Sequence, residues 1–553
     1  AGRGHTGAAL LQTPAPPATP GGFDFQRVAF FDRLGGVGFA LAPAQRVATA
    51  DATGLGLMLA RLRQDIITAA RASLPGAEGA VAAALLTGQR QAIPPTVMED
   101  LRRSGLAHLL AVSGLHVGIV AGLAFVLVRL ALGLWPGALL RLPVKKIAAL
   151  CGIAAGFGYM LLTGSQVPMR RALAMAALLA LAVLVDRRGS ALRALAIAAA
   201  VVLLLQPEAL LGPSFQMSFA AVLALVAAWE ALRRSWLSPR RDRGLLERGA
   251  VAFAALLVTS LVASAATTPF VAFHFQRIQI YGVAANALAV PLTSLWIMPW
   301  GMLALLLMPI GLHDLAFAPM GAGIAAVIWV AGAVSSWPLA SPTLPAMPGW
   351  GVALCGLGLC ALCLLRGRGR LAGLVAILAG FGSAWMVPQP DILLSADGRQ
   401  LALRAEGALH RIAVGGADRF TTEQWSARAG GLPVLPLQPG PTAPAILRCE
   451  DRACVLGEAA APRGVILLDG AATDWCGRTP LIVSLDPVRG RCWGTRVVDR
   501  SAVWRGGAHA VWLDGPTVAS DSLWRGNRPW VVLPRQRWRD DQGEAPARIR
   551  ARD

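Results

Sequence analysis

The amino-acid sequence predicts an α-helical polytopic membrane protein with about ten membrane segments, followed by a small C-terminal β-rich or α/β extramembrane domain. Three observations predict it. Only 15% of the 553 residues are charged and 55% are hydrophobic, where ordinary globular domains carry roughly 25% charge. Apolar runs repeatedly approach the roughly 20 residues that a helix needs to cross hydrocarbon. Beyond residue 388 the pattern changes to short β-like runs separated by Gly, Pro and Asp. The mean hydropathy of +0.55 excludes a disordered chain.

The chain opens at Ala1 without a charged n-region and an apolar h-region, so it reads as lacking a signal peptide and as cut from something longer. The stretch TPAPPATPGG at 13–22 reads as a linker. Residues 1–106 never reach span length and are expected outside the membrane or at its interface. Within them, the apolar run 80–86 is expected to be an interfacial amphipathic helix. Membrane segments are expected at 109–134, 147–162, 172–185, 194–205, 216–231, 251–267, 284–308, 315–335, 352–365 and 371–387. In the tail, strands are expected at 392–394, 400–403, 465–468, 481–484, 510–513 and 531–533.

Charge orients this series. The formal net charge is +20, from 51 Lys plus Arg against 31 Asp plus Glu. Basic loops at 141–146, 187–193, 233–248 and 366–370 fall on one side of the predicted spans, which should be the cytoplasm. Both ends of the chain then face outward. Arg170 and Arg171 break the rule, lying on the outer side or within the membrane, where charge points to function. Cys449, Cys454, Cys476 and Cys492 lie in the tail, where an oxidising compartment would let them form disulfides. Three connectivities are open, and the spacing does not suit zinc.

Three polar clusters interrupt the apolar runs. The most distinctive is HLLAVSGLHVG at 108–118, which puts His108, Ser113, Gly114, His116 and Gly118 at the head of an apolar segment. One reading is a polar site in a cavity. The other is helix packing, with Gly114 and Gly118 admitting a neighbouring helix while Ser and His bond across it. A Ser three residues from a His on one helical face also allows an intramembrane serine hydrolase, with Ser113 as nucleophile and His116 as base. The second cluster is TGSQVPMRR at 163–171, echoed by PSFQMSF at 213–219, with Gln166, Arg170, Arg171 and Gln216. Such side chains either cap helix ends or line water. The third, at 267–286, places His274, Gln276, Arg277, Gln279 and Asn286 among Phe270, Phe273 and Phe275. Cations interleaved with rings suit a polyanion with stackable bases, although an interfacial aromatic belt has the same composition. The sequence holds no P-loop, no GxGxxG fingerprint and no metal-ligand spacing, so no cofactor is expected.

These motifs resemble the ComEC-type DNA-internalisation (competence) family. The resemblance rests on HLLAVSGLHVG at 108–118, LLTGQR at 85–90, TGSQVPMRRA at 163–172, PSFQMSFAAVLAL at 213–225 and TPFVAFHFQRIQIYGVAANALAVPL at 268–292. It covers roughly residues 54–340. It implies a bacterial inner-membrane channel passing single-stranded DNA into the cytoplasm during natural transformation. A DNA receptor, a pilus and a cytoplasmic ATPase would assist, and the oligomeric state, a homo-oligomer included, stays open. The implied organisation is 1–53 as linker and end of a truncated N-terminal OB-like region, 54–387 as competence membrane domain, and 388–553 as periplasmic domain. The tail resembles the family's metallo-β-lactamase-like domain in a metal-free variant, since no HxHxDH motif is present. No nuclease or other enzyme activity is therefore expected. The expected DNA path comprises Gln166, Arg170, Arg171, Gln216, Gln276 and Arg277. A scaffold that holds an uptake complex without conducting is the remaining alternative.

Overall fold

Apolar sequence with small residues at helical spacing builds the first part of the chain. The computed structural model describes residues 3–6, 8–42, 45–49, 54–110, 114–135, 137, 141–164, 167–184, 191–232, 244–416, 418–437, 444–450, 452–458, 461–470, 474–489 and 492–532. The chain divides into two units. One comprises Ala1–His5, Arg46–Pro342 and Met347–Ser383, and the other Thr6–Gln45, Thr343–Ala346 and Ala384–Asp553.

In the first unit, helices α1 (Leu55–Ser73), α2 (Ala77–Thr87), α3 (Pro95–Arg103) and the short α4 (Ala107–Leu110) precede the long apolar series. That series is α5 (Gly114–Gly133), α6 (Val144–Leu162), α7 (Val167–Leu184), α8 (Ala191–Leu205), α9 (Pro213–Leu232) and α10 (Leu245–Phe275). It continues with α11 (Gly282–Leu292), a π-helical turn at Thr293–Ile297, α12 (Met298–Leu307), α13 (Asp314–Ser335), α14 (Gly349–Leu364) and α15 (Gly369–Gly382).

Among the described residues, six helices are long and apolar enough to cross a membrane: His116–Gly133, Val144–Leu162, Pro213–Leu232, Leu246–Phe275, Gly282–Ile310 and Asp314–Ser335. The expected count of about ten is therefore not reached. Ala191–Leu205, Gly349–Leu364 and Gly369–Trp385 are apolar but run only 10–17 residues. At about 1.5 Å per residue they fall short of a hydrocarbon core roughly 30 Å thick. Hydropathy registers them as spans because it does not measure where a helix ends.

The N-terminal helices correct a second expectation. Residues 80–86 do not form an amphipathic helix, and helices of the 54–106 stretch pack into the core of the helical unit. Helix α2 is buried at every position from Gly79 to Thr87, because a helix apolar on all sides has no face to give to water. It shares one core with Ile66, Leu101, Phe317, Met320 and Ile324. Small residues permit the approach. A side chain at Gly321 of α13 would collide with Leu74, and a Cβ at Gly301 of α12 would lie 3.1 Å from both Leu86 and Met320. Helix α13 is the most enclosed span, with 50% of its apolar window buried, whereas that of α10 is 6% buried and shows Phe253, Val258 and Leu261 to the surroundings.

Helices α14 and α15 pair through glycines. A Cβ at Gly358 would lie 2.7 Å from the Gly373 carbonyl oxygen, and one at Gly373 would lie 2.6 Å from that of Gly358. Backbones thus touch where side chains usually keep helices apart.

Among the described residues the second unit holds two large sheets. The strands are β1 (Ile392–Leu394), β2 (Gln400–Ala405), β3 (Ala408–Ala413), β4 (Val434–Pro436), β5 (Leu447–Glu450) and β6 (Ala453–Glu458). They continue with β7 (Ala461–Leu467), β8 (Leu481–Ser484), β9 (Arg496–Val498), β10 (His509–Trp512) and β11 (Thr517–Ser520). The sheet orders are β11-β10-β1-β2-β3-β4 and β9-β8-β7-β6-β5. Ile392, Leu394, Leu401 and Leu403 of one sheet share a core with Leu456, Ile466, Leu481 and Val483 of the other. Leu393 points the opposite way, onto Trp425 of α16 (Arg419–Arg428). Both faces of β1 are covered, so it reads as an unbroken apolar run rather than an alternation. Residues 531 and 532, expected within a strand, are not in one.

Cys449 and Cys454 sit opposite each other on β5 and β6 and are bonded, as are Cys476 and Cys492. Of the three connectivities open in the sequence, the structure adopts this one.

The linker region joins this unit instead of forming a separate one. A hairpin pairs Ala9–Gln12 with Val37–Ala40, and the helix Phe25–Phe31 is capped by the Asp24 carboxylate. The Trp425 indole donates to the Ala18 carbonyl at 3.0 Å, and the Trp530 indole donates to Asp24 at 3.1 Å. On α18 (Asp521–Arg525), which follows α17 (Arg500–Gly506), Arg525 donates to Gln26 at 2.7 Å and pairs with Asp521 at 2.6 Å. Burial pushes the Asp521 carboxyl up to about 6, against the opposing pull of Arg525.

Gly373→Val should part α14 from α15 and cost about 1–3 kcal/mol by overpacking, read as a lower thermal midpoint of the purified protein. Gly382→Ala, with nothing within 4 Å of the added methyl, should leave that midpoint unchanged. Asp521 makes the second unit sensitive to pH. A carboxyl whose folded value is raised to about 6 stabilises the fold most below its unfolded value and loses that contribution as pH rises through the folded one. Acidification from pH 7 to 5 should therefore raise the melting midpoint of the second unit in the wild-type chain relative to Asp521→Asn. An identical pH response in both proteins would refute it.

Candidate functional site

The HLLAVSGLHVG segment straddles α4 and α5. His108, exposed on α4, lies with its Nδ1 2.8 Å from the Gly105 carbonyl oxygen. Ser113 lies outside the described residues. Gly114 opens α5, where an added Cβ would lie 3.3 Å from that of Ala172 on α7. His116 is fully buried, and the next turn contributes Val117 and Val120 to a core with Tyr159, Met160 and Met169. A Cβ added at Gly118 would meet nothing within 4 Å, so Gly114 and Gly118 do not form one packing seam. The close approach comes from the other helix. A Cβ at Gly152 of α6 would lie 2.8 Å from the Ala121 carbonyl oxygen, and one at Gly156 would lie 3.4 Å from Val117. Two glycines four apart in GIAAGFG carried that signal in the sequence, and sequence reasoning missed it.

The helix that precedes the second cluster is tied to the buried α2. Tyr159, near the end of α6, donates its hydroxyl to the Leu85 carbonyl at 2.8 Å, which ties the helix leading into TGSQVPMRR to the LLTGQR segment. Arg63 of α1 closes the same helix end. Its Nε donates to the Leu162 carbonyl at 2.6 Å and its Nη2 to that of Leu161 at 2.7 Å. A cation at a helix C-terminus satisfies orphan carbonyls and complements the dipole. Sequence reasoning did not single out Arg63, because one Arg in LARLRQD looks like any solvated charge. Arg170 is exposed in the first turn of α7, and the Arg171 backbone lies in the same turn. Gln166 lies outside the described residues.

Two predicted clusters meet at α9 and α10. His274 Nε2 lies 2.8 Å from Gln216 Oε1, and the Gln216 amide donates to the Leu210 carbonyl at 3.0 Å. Gln276 has φ +52° and ends α10, its side chain donating to the Phe273 carbonyl at 2.8 Å. This is helix capping by a non-glycine residue in the left-handed region. Arg277 pairs with Glu99 of α3 at 2.5 Å, and Glu99 also lies 3.7 Å from Arg102. The neighbouring Asp100 accepts from Ser335 of α13 at 2.7 Å. Helix α3 is thus held by two adjacent carboxylates, neither of which any local pattern marks.

The expected path residues therefore do not converge on one point. Gln216 is engaged with His274, Gln276 with its own helix and Arg277 with Glu99. A cavity of about 20 Å³ lies among Val81, Leu85, Leu101, Thr293, Ile297 and Ile324, room for about one water. It borders the π-turn, a local widening that often marks a place where a helix adjusts.

Residues 85–369 match the family model described as Competence protein. The chain is 25% identical over 299 residues to ComE operon protein 3 of Bacillus subtilis (strain 168), covering 54% of this chain and 35% of that one. It is 31% identical over 315 residues to Competence protein ComA of Neisseria gonorrhoeae, covering 54% and 40%. With Recombination protein 2 of Haemophilus influenzae it shares 26% identity over 223 residues, 39% of this chain and 27% of that protein. The matches thus span two fifths or less of each relative's length. No solved structure matches the chain. With the matched region covering more than half of its length, from the buried α2 to the start of α15, the chain belongs to the ComEC-type competence protein family.

Proposed function

We propose that this protein conducts single-stranded DNA across the bacterial inner membrane into the cytoplasm during natural transformation. The observation that carries the reading is the Competence match across residues 85–369, which contains all three polar clusters of the apolar series. The arrangement of polar groups is compatible with it. Gln216 and His274 join two spans through a hydrogen bond that can be remade with a passing strand, and Arg170 is exposed at the head of α7. In this reading the second unit is periplasmic. Its two disulfides suit an oxidising compartment, and the basic turns at 141–146 and 366–370 suit a cytoplasmic face.

The protein would act as a conduit and not as an enzyme, since the sequence lacks the HxHxDH motif through which a metallo-β-lactamase-like domain would cut DNA. Strand separation and the driving force would come from partners: a DNA receptor, a pilus and a cytoplasmic ATPase.

Labelled DNA should stop in the periplasm of a strain lacking this protein and reach the cytoplasm again on complementation. Arg170→Ala/Arg171→Ala should lower uptake by about tenfold or more, the equivalent of a contact worth roughly 1.4 kcal/mol, at unchanged protein level. Ser113→Ala should retain uptake. Normal uptake in the deletion strain would sink the reading.

A further inference from the structure

Among the described residues, three arginines of the first unit are half-buried: Arg63, Arg90 and Arg277. Two of them are satisfied. Arg63 donates to the carbonyls of Leu161 and Leu162, and Arg277 pairs with Glu99. The Arg90 side chain has neither a hydrogen bond nor an ion pair among the described residues. Burial pulls its guanidinium below the ordinary arginine value, and no partner opposes that pull. None of its nitrogens is sealed inside, since none is among the fully buried side-chain atoms that lack a partner. The group is therefore partly stripped of water, unneutralised and still within reach of a ligand.

The chain around Arg90 is fixed on both sides. Helix α2 ends at the buried Thr87, and Gly88, at φ +78°, closes it by donating its N–H to the Ala84 carbonyl at 2.8 Å. Ile93, whose side chain is buried, donates its N–H to the Arg90 carbonyl at 3.1 Å, and Pro95 then opens α3. A short turn clamped between two buried residues sets where the guanidinium can reach, which lowers the entropy lost when a ligand binds it. The acids of the same stretch are committed elsewhere. Glu99 holds Arg277 and lies 3.7 Å from Arg102, and Asp100 accepts from Ser335. Residues 88–103 contain no other carboxylate.

We infer that Arg90 is a phosphate-binding residue of the membrane unit, held ready for the phosphodiester groups of a single strand in transit. A half-buried guanidinium without a partner destabilises the fold, and binding sites characteristically retain such costs. Its planar fork of donors matches two phosphate oxygens at once. The exposed neighbours choose between sources of phosphate. A lipid headgroup brings acyl chains that need an apolar groove beside it, whereas Gln89, Gln91 and Ala92 are what the turn exposes. Contact with a backbone phosphate holds a strand without regard to its sequence, as transport of arbitrary DNA requires. The phosphate site follows from the unpartnered guanidinium and its fixed turn, whereas the strand as its occupant rests on the DNA-conduit reading above.

The test uses the full chain purified in a maltoside detergent. Without ligand, Arg90→Met should melt at the wild-type midpoint or a few degrees above it, because it removes an unpartnered charge and keeps the apolar stem. A midpoint several degrees lower would show that the guanidinium holds the fold together and would overturn the site. Inorganic tripolyphosphate should raise the wild-type midpoint and leave that of Arg90→Met in place; equal shifts in both overturn the phosphate site. Fluorescein-labelled oligodeoxythymidine should bind the wild type several-fold more tightly than Arg90→Gln. The slope of log affinity against log salt should shrink by about 0.7 on that substitution, as for one phosphate contact to a single strand. Arg90→Lys should keep the slope, and so should Arg419→Gln, whose side chain is 92% exposed on the second unit. Equal slopes for the wild type and Arg90→Gln overturn the DNA assignment. So does a wild-type midpoint that phosphatidylglycerol raises and the oligonucleotide does not, which would make the occupant a lipid phosphate. The tripolyphosphate measurement involves no DNA, so its failure is distinguishable from failure of the conduit reading, which appears as normal uptake in the deletion strain.

Discussion

The enclosure of α2 is the constraint on which the membrane unit depends. A helix reading AEGAVAAALLT offers no polar face and almost no side-chain bulk, so it gains little from contact with water or with lipid. It is stable only when other helices come close enough to surround it. That requirement explains the glycines of α12 and α13 at the points of closest approach, and the position of Leu74 and Leu86 above them. It also explains why α13 is half buried although it is long enough to span. Once α2 is inside, α1 is held along its flank and α3 is carried to the end of α13, where Asp100 meets Ser335.

Many polar groups in this unit follow a second rule, finding a partner within reach. They do so mostly in pairs that link one helix to another: Gln216 with His274, Tyr159 with Leu85, Arg63 with the last carbonyls of α6, and Arg277 with Glu99. Such ties fix the packing without forming one concentrated site. They are also individually modest. The Arg277–Glu99 pair is partly exposed and contributes on the order of 1 kcal/mol or less. Bonds of this size can be exchanged for others when helices move.

The second unit is built on a different principle. Two sheets enclose a core of alternating side chains, and Trp425 covers the outer side of one of them. The N-terminal segment completes the unit through Asp24 and Gln26, which reach Arg525 about five hundred residues later. Buried Arg525 needs those acceptors, because an unpaired guanidinium inside a protein is expensive. The linker-like appearance of residues 13–22 concealed a docking role, seen where the Ala18 carbonyl accepts from Trp425.

The sequence by itself determined the class of the protein, its helical membrane part and its β-containing tail. It also determined the family, because HLLAVSGLHVG, TGSQVPMRR and PSFQMSF are local patterns that survive without any knowledge of contacts. Several strands and the pairing partners of Gln216 and Arg277 were out of its reach, as were the burial of α2 and the ends of the shorter helices. Hydropathy reports how apolar a segment is, not what surrounds it, so 80–86 read as interfacial when it is central. Only the tertiary structure decided which polar side chains meet, since Gln216 and His274 are 58 residues apart and Glu99 and Arg277 are 178 apart. Such contacts arise from helix crossings that no local pattern encodes.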